Sequence, residues 1–258
     1  MDTQAQKDQT IVETIKTIVS KHRGRFGYRR VTLALKEKGI KINHKRVLRL
    51  MRAHNLLCAK FNRKSRKFIT YRGQIGRLAR NRFNRRFKTD RPYQKLVTDI
   101  TQFKIQGTEQ RLYFSPIMDL YNNEIISYKI SDRPTYDIVH EPLCEALALR
   151  PELGYRMTIH SDQGWHYQMK QWSAKLKAHR VFQSMSRKGN CLDNSPMENF
   201  FGLLKQEMFY GETFNSYDTL KTHIEAYIRY YNHDRIKVKL DGLSPVKYRE
   251  ANHLETPA

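Results

Sequence analysis

Apolar positions near the start of the chain recur at helical spacing and predict three short helices between residues 10 and 57. Ile11, Ile15 and Ile18 mark the first, and Val31, Ala34 and Leu35 mark the second, which runs from about Tyr28 and stops at Gly39. Asn43 is placed to cap the third, where Val47, Leu50 and Met51 form a buried stripe while Lys45, Arg46, Arg49 and Arg52 project outward. This is a helix-turn-helix pattern, whose last helix either offers a basic face to a DNA major groove or is merely solvated there. From Lys60 to Lys95 the pattern lapses: fourteen of the 36 residues are Lys or Arg and Asp90 alone is acidic, so no core is expected. After Lys95 the composition turns to strands. LVTDITQFKI, QRLYFSPIMDLY and EIISYKIS are rich in β-branched and aromatic residues, with turns at Gly107 and Asn122-Asn123, and predict three antiparallel strands. A helix over about Tyr136 to Leu149, a strand RMTIH, a helix over about Tyr167 to His179 and a strand VFQSM follow. Two helices, about Pro196 to Phe209 and Ser216 to Asn232, close the series. The order predicts an α/β fold, a mixed sheet flanked by helices.

Charge narrows the class of partner. Lys and Arg total 48 against 25 acidic residues, a formal net charge of +23. That excess points to a polyanion, and nucleic acid fits it best because phosphate neutralisation dominates such binding. Phe61, Phe68, Tyr71, Phe83 and Phe87 interleave with the cations of the basic segment, which suits tracking of a DNA backbone with occasional stacking, or a solvated linker. The first residues are polar, and no run approaches the ~20 apolar residues that span a bilayer, so a cytoplasmic protein without a membrane partner is expected. Cys58, Cys144 and Cys191 stand far apart, without zinc-site spacing, and suit a reducing compartment.

In so basic a chain, acidic residues inside strand or helix signatures need a reason. Asp99 interrupts LVTDITQF, where an unpaired buried carboxylate would cost several kcal/mol (of order ~2–7), a cost that a bound cation offsets. Asp162 follows RMTIH in IHSDQGWHY, where the chain leaves the sheet. Glu198 has two readings. Ser195-Pro196-Met197-Glu198 has the form of a capping box, and the same first helical turn could direct the carboxylate toward Asp99 and Asp162. Three carboxylates are what a pair of magnesium ions ~3.5–4 Å apart requires, one bridging and one on each side. Asp99 would bridge, with Asp162 and Glu198 flanking. Lys205 returns to nearly the same helical face as Glu198 and could hold a DNA phosphate, or be solvated. His160 and His166 flank Asp162 but lack a third ligand at zinc spacing, and Asp119 in MDLYNNE reads as a turn former.

These segments together resemble one family. The chain is similar, over nearly its full length, to the second-reading-frame product of the IS-three family of bacterial insertion sequences, whose catalytic domain resembles retroviral integrase cores. FGYRRVTLALKEKGIKINHKRVLRLMRAHNL looks like its helix-turn-helix segment, and VTDIT, HSDQGWHY and SRKGNCLDNSPMENFFGLLKQE look like its three acidic motifs. YIRYYNHDRIKVKLDGLSPVKYR looks like its tail, with Tyr231, Asn232, Arg235, Leu240, Ser244 and Pro245 in place. The 35 residues between Asp162 and Glu198 match the separation that names the DDE group. Leu96 departs from the tryptophan usual in the family three residues before the first aspartate.

The resemblance implies an RNase H-like core over 95–235, preceded by a helix-turn-helix domain over 1–58 and a basic linker over 59–94, and followed by a tail over 236–258. It implies a transposase that cleaves DNA at an element's end and joins the exposed 3′-hydroxyl to another phosphodiester, with Asp99, Asp162 and Glu198 holding two magnesium ions, or manganese in their place. Lys45, Arg46, Arg49, Arg52, Arg63, Lys64, Arg66, Lys67, Arg85, Arg86 and Lys205 are the expected contacts to double-stranded DNA. A homo-oligomer on DNA and an upstream-frame protein or fusion are the implied partners. Asp193 and Asn194 are expected to position the Glu198 helix. A nuclease of the same fold that only hydrolyses, and a DNA-binding regulator with structural carboxylates, are the rival classes.

Overall fold

A computed structural model of the chain describes residues 4–61, 78–188 and 190–252. It divides into two compact units, Met1–Lys64 with Asp234–Ser244, and Ser65–His233 with Pro245–Ala258.

The first unit holds the three expected helices, α1 (Gln4–Lys21), α2 (Tyr28–Glu37) and α3 (His44–Ala53). Val12, Ile15 and Ile18 of α1 are buried together with Phe26, Val31, Leu35, Val47, Leu50 and Met51, while Ile11 lies to the side of that stripe. Asn43 caps α3 as expected, its Oδ1 accepting from Lys45 N at 2.8 Å. Gly39, at φ +80°, ends α2 in the left-handed conformation that favours glycine. Asp234–Ser244 also belongs to this unit, where the expected division gave residues 234 and 235 to the core and the rest to the tail: Ile236 and Leu240 are buried, and Gly242 lies against Leu33.

The second unit is built on a mixed sheet of β1 (Lys95–Thr98), β2 (Thr101–Lys104), β3 (Arg111–Asp119), β4 (Ile125–Ser131), β5 (Thr158–Ser161) and β6 (Phe182–Met185). β1 and β2 lie end to end along one edge of β3, β4 pairs with its other edge, and β5 and β6 extend the sheet in parallel from β1. Each face is covered. On one, Leu96, Ile117 and Ile159 pack against α4 (Asp137–Ala148) and α6 (Lys170–Ala178), with the short α5 (Trp165–Gln168) before α6. On the other, Val97, Phe103, Phe114 and Met118 pack against α7 (Ser195–Leu204) and α8 (Tyr217–His233), and α9 (Pro245–Ala251) follows. The expected helix from Pro196 to Phe209 is thus α7 continued by a π-helical turn, Lys205–Phe209, closed by Tyr210 N donating to Lys205 O at 2.7 Å.

The basic segment is not coreless throughout. Residues 78–94 form a strap: Ala79 N donates to Met185 Sδ at 3.3 Å and Arg82 N to Ser184 Oγ at 2.9 Å, both on β6, and Phe83 is buried in the core with Val97.

Candidate active site

The strand expected to contain Asp99 is broken there. Register against β3 is the same on both sides of the break, so Asp99 and Ile100 stand opposite Pro116 and Ser115. Pro116 has no N–H to donate, and the ladder lapses where it stands. Asp99 follows the last residue of β1 and Asp162 the last residue of β5; since these strands are parallel neighbours, the two carboxylates leave the sheet side by side. Asp99 Oδ1 accepts from Ile100 N at 2.7 Å, and Asp162 Oδ1 from Gly164 N at 2.8 Å. A Cβ at Gly164 would come within 2.9 Å of Asp162 Oδ1, so the turn leaves no room for a side chain there.

Burial pushes the Asp99 carboxyl well above its ordinary range, and the charges of Asp162 and then Glu198 push it further, against the Ile100 N–H and the Lys205 ammonium. Burial also raises Asp162, against the hydrogen bond from Gly164. Tyr167, for which the sequence alone predicts no role, is buried beside this pair. Its phenol is raised well above the usual range by burial and then by the charges of Asp99 and Asp162. Only its place in HSDQGWHY could have signalled it.

Glu198 lies exposed on the first turn of α7, its carboxyl raised by partial burial. The capping box is not formed: a 3-10 turn, Cys191–Asn194, runs directly into α7, and Ser195 is already helical at φ −54°, ψ −31°. Lys205 stands about two turns beyond Glu198, with its Nζ 5.4 Å from the Phe103 ring centroid. Burial lowers its pKa while the Asp99 charge raises it. Asp99 therefore senses the charges of the other three groups. Among the described residues, no three His, Cys, Asp or Glu side chains are drawn together closely enough to hold a metal ion.

The flanking histidines are structural. His160 places Nδ1 2.8 Å from Ser184 Oγ and Nε2 3.1 Å from Ser186 Oγ, stacks on Phe83, and is lowered to about 4 by burial. His166 Nε2 meets Pro134 O at 2.8 Å.

The expected DNA contacts divide. Lys45 and Arg52 are exposed on α3. Arg46 Nε reaches Asp8 Oδ1 at 3.1 Å and Arg49 Nη2 reaches Asp8 Oδ2 at 3.0 Å, so two cations of the outward face are tied to α1. Arg85 is bound to Asp193 and Asn190, whereas Arg86 is exposed. Arg63, Lys64, Arg66 and Lys67 lie outside the described residues. No helix among the described residues is long and apolar enough to cross a membrane.

Comparison with known proteins agrees with this architecture. Two integrase core domain models match residues 89–191 and 198–252, and an HTH-like domain model matches residues 6–65. The putative transposase InsK for insertion sequence element IS150 of Escherichia coli (strain K12) is 46% identical over 245 residues, covering 95% of this chain and 84% of that protein. Transposase InsF for insertion sequence IS3A of the same organism is 30% identical over 258 residues, covering 98% and 86%. Among solved structures, a chain of the simian T-cell lymphotropic virus intasome in complex with PP2A regulatory subunit B56 gamma superposes with a TM-score of 0.52 at 18% identity, covering 95% of this chain and 77% of that one. The fold of the second unit is the integrase core, an RNase H-like mixed sheet, and an HTH-like domain precedes it.

Proposed function

Because the chain belongs to the IS3 family of insertion-sequence transposases, we propose that Asp99, Asp162 and Glu198 are its catalytic carboxylates, and that they hold two divalent cations, magnesium or manganese in its place. The observation that carries this reading is the pair of aspartates at the ends of two parallel neighbouring strands, both driven toward the protonated state by burial. A cluster so short of countercharge fits hard cations, and all three donors are the hard oxygens such ions take. When bound, the ions supply activation of the attacking hydroxyl and stabilisation of the departing oxygen.

The chain's own residues do the rest. Asp99 and Asp162 are held by backbone N–H groups of their own turns, which orients them before DNA arrives. Glu198, exposed on α7, completes the set from the opposite element, and Lys205 faces a DNA phosphate from beside Asp99. In cleavage a water oxygen bonds to phosphorus as the P–O3′ bond breaks, and the proton ends on the released 3′-oxygen. In joining, that 3′-hydroxyl attacks a second phosphodiester, whose own P–O3′ bond breaks. The exposed Lys45 and Arg52, with the basic segment, hold double-stranded DNA, on which copies of the chain assemble with or without an upstream-frame partner.

The test replaces each acid by its amide. Asp99→Asn, Asp162→Asn and Glu198→Gln should each reduce magnesium-dependent cleavage of the DNA ends flanking the coding sequence by at least roughly 1,000-fold, as loss of a main catalytic group does. DNA affinity should stay unchanged. Cleavage that persists in any one variant removes that residue from the site, and cleavage without joining of a labelled 3′-end would make the enzyme a nuclease.

A further inference from the structure

The loop before α7 is pinned at two consecutive residues. Asn194 Nδ2 lies 3.4 Å from Thr98 O, one residue before Asp99. Asp193 is wholly buried, and its carboxylate collects donors from two distant parts of the chain. From its own loop come Arg187 N, Nε and Nη2 at 3.0, 2.9 and 2.9 Å. From the strap come Asn81 Nδ2 at 3.0 Å and Arg85 Nε at 3.2 Å. Arg85 also spans to Asn190 Oδ1 through Nη2 at 3.2 Å. These bonds hold the Asp193 carboxyl below the usual carboxylate range, first through Arg187 and with a share from Arg85.

We infer that Arg85 is a positioning residue for phosphoryl transfer and not a DNA contact: by gripping Asp193 and Asn190 it sets where the first turn of α7 presents Glu198 to Asp99. The inference rests on Glu198 being the third catalytic carboxylate. Two of Arg85's three guanidinium nitrogens are already committed to the loop, so a phosphate would have to compete with a buried anion for them. Because Arg187 still grips Asp193 from two side-chain nitrogens and Asn81 still reaches it from the strap when Arg85 is removed, the loop keeps its anchor and loses only the Arg85 share of its tie to the strap, with the bond to Asn190. Small displacements of a catalytic group are costly, since misplacement by ~1 Å can lower a rate on the order of 100-fold.

The full-length chain is compared with Arg85→Ala, Arg85→Lys and Asn81→Ala, using the DNA ends flanking the coding sequence and magnesium. Arg85→Ala should lower kcat at saturating DNA by roughly 10- to 100-fold. Its KM for DNA and its dependence of binding on salt should match the parent. Arg85→Lys, able to make one of the bonds, should recover part of kcat, and Asn81→Ala should show the same signature in weaker form, which guards against misfolding of the alanine variant at Arg85. The inference is overturned if Arg85→Ala keeps kcat, or if its salt dependence falls by about 0.9, the slope that one neutralised phosphate contributes. Glu198→Gln in the same assay separates the two claims: activity there would defeat the assignment of Glu198, whatever Arg85 does.

Discussion

Asp119 shows how one side chain can carry a pH dependence for its unit. Its sequence context predicts a turn former, and its Oδ1 does accept from Tyr121 N at 3.0 Å, but its Oδ2 also accepts from Tyr93 N at 2.8 Å, on the segment leading into β1. Burial is the largest influence on its carboxyl and Glu124 adds to it; against the two N–H groups and Arg249, they raise it from 3.8 to about 7. A carboxyl that binds its proton more tightly when folded stabilises the fold fully below its unfolded pKa, and that contribution is lost as pH rises through the folded one. Between pH 4 and 8 this group should therefore withdraw up to about 4 kcal/mol of stability, since each tenfold gain in proton affinity on folding is worth ~1.36 kcal/mol. His160 acts in the other sense: lowered from 6.5 to about 4, it contributes stability above its unfolded pKa that is lost as pH falls through the folded one. Asp119→Asn isolates the first effect. Relative to the parent, the variant should gain stability progressively from pH 5 to pH 8 in thermal melts, and a pH-independent difference between the two would show that Asp119 does not titrate in this range.

At the scale of elements, what could be read from the sequence was what neighbours in sequence decide. The cap at Asn43, the glycine end of α2, the strand composition after Lys95 and the helices α4, α6, α7 and α8 all rest on interactions within a few residues. The two aspartates were legible for the same reason, since each interrupts or ends a strand signature. What stayed hidden rests on distant partners. Phe83 looks like one more aromatic in a charged run until the sheet supplies a core for it, and the pairing of Arg85 with Asp193, 108 residues away, has no signature in the sequence around either residue. Ser195 carried a correct local signal that the 3-10 turn overrode. The segment Asp234–Ser244 is the clearest case: its polar sequence conceals Ile236 and Leu240, buried in the helical unit. Gly242 fastens it, at φ +84° and with room for a Cβ only 3.3 Å from Leu33 Cδ2. Gly242→Ala should cost about 1–2 kcal/mol from the left-handed backbone alone, with crowding of Leu33 added. Hydrogen exchange would locate the loss, with α2 amides exchanging faster and the sheet amides of β3 unchanged; equal protection of α2 in variant and parent would dissociate the segment from the helical unit.

For the molecule as a whole, the question is where the net charge of +23 is directed. A share of the cations is held internally: Arg46 and Arg49 by Asp8, Arg85 and Arg187 by Asp193, and Arg249 by Glu124 through bonds of 2.8 and 3.2 Å. Where such ion pairs are exposed they contribute ~0–1 kcal/mol to stability, yet each commits a positive charge to a carboxylate of the same chain. The cations we propose for phosphate contact are Lys45 and Arg52 on α3, Arg86 on the strap, Lys205 at the candidate site, and the sequence run Arg63, Lys64, Arg66 and Lys67. Counterion release makes this distribution measurable, because the log–log slope of affinity against salt changes by ~0.9 for each phosphate neutralised. Replacing Arg63, Lys64, Arg66 and Lys67 together by serine in the full-length chain should flatten the slope by up to about 3–4, and weaken binding to unrelated duplexes as much as to the flanking ends. Replacing Lys45 and Arg52 by serine should flatten it less and act more on the flanking ends, since a helix in the major groove also reads bases. If the fourfold change leaves the slope of the parent intact, the excess charge of this run is not directed at DNA, and the helical unit with the strap must account for binding alone.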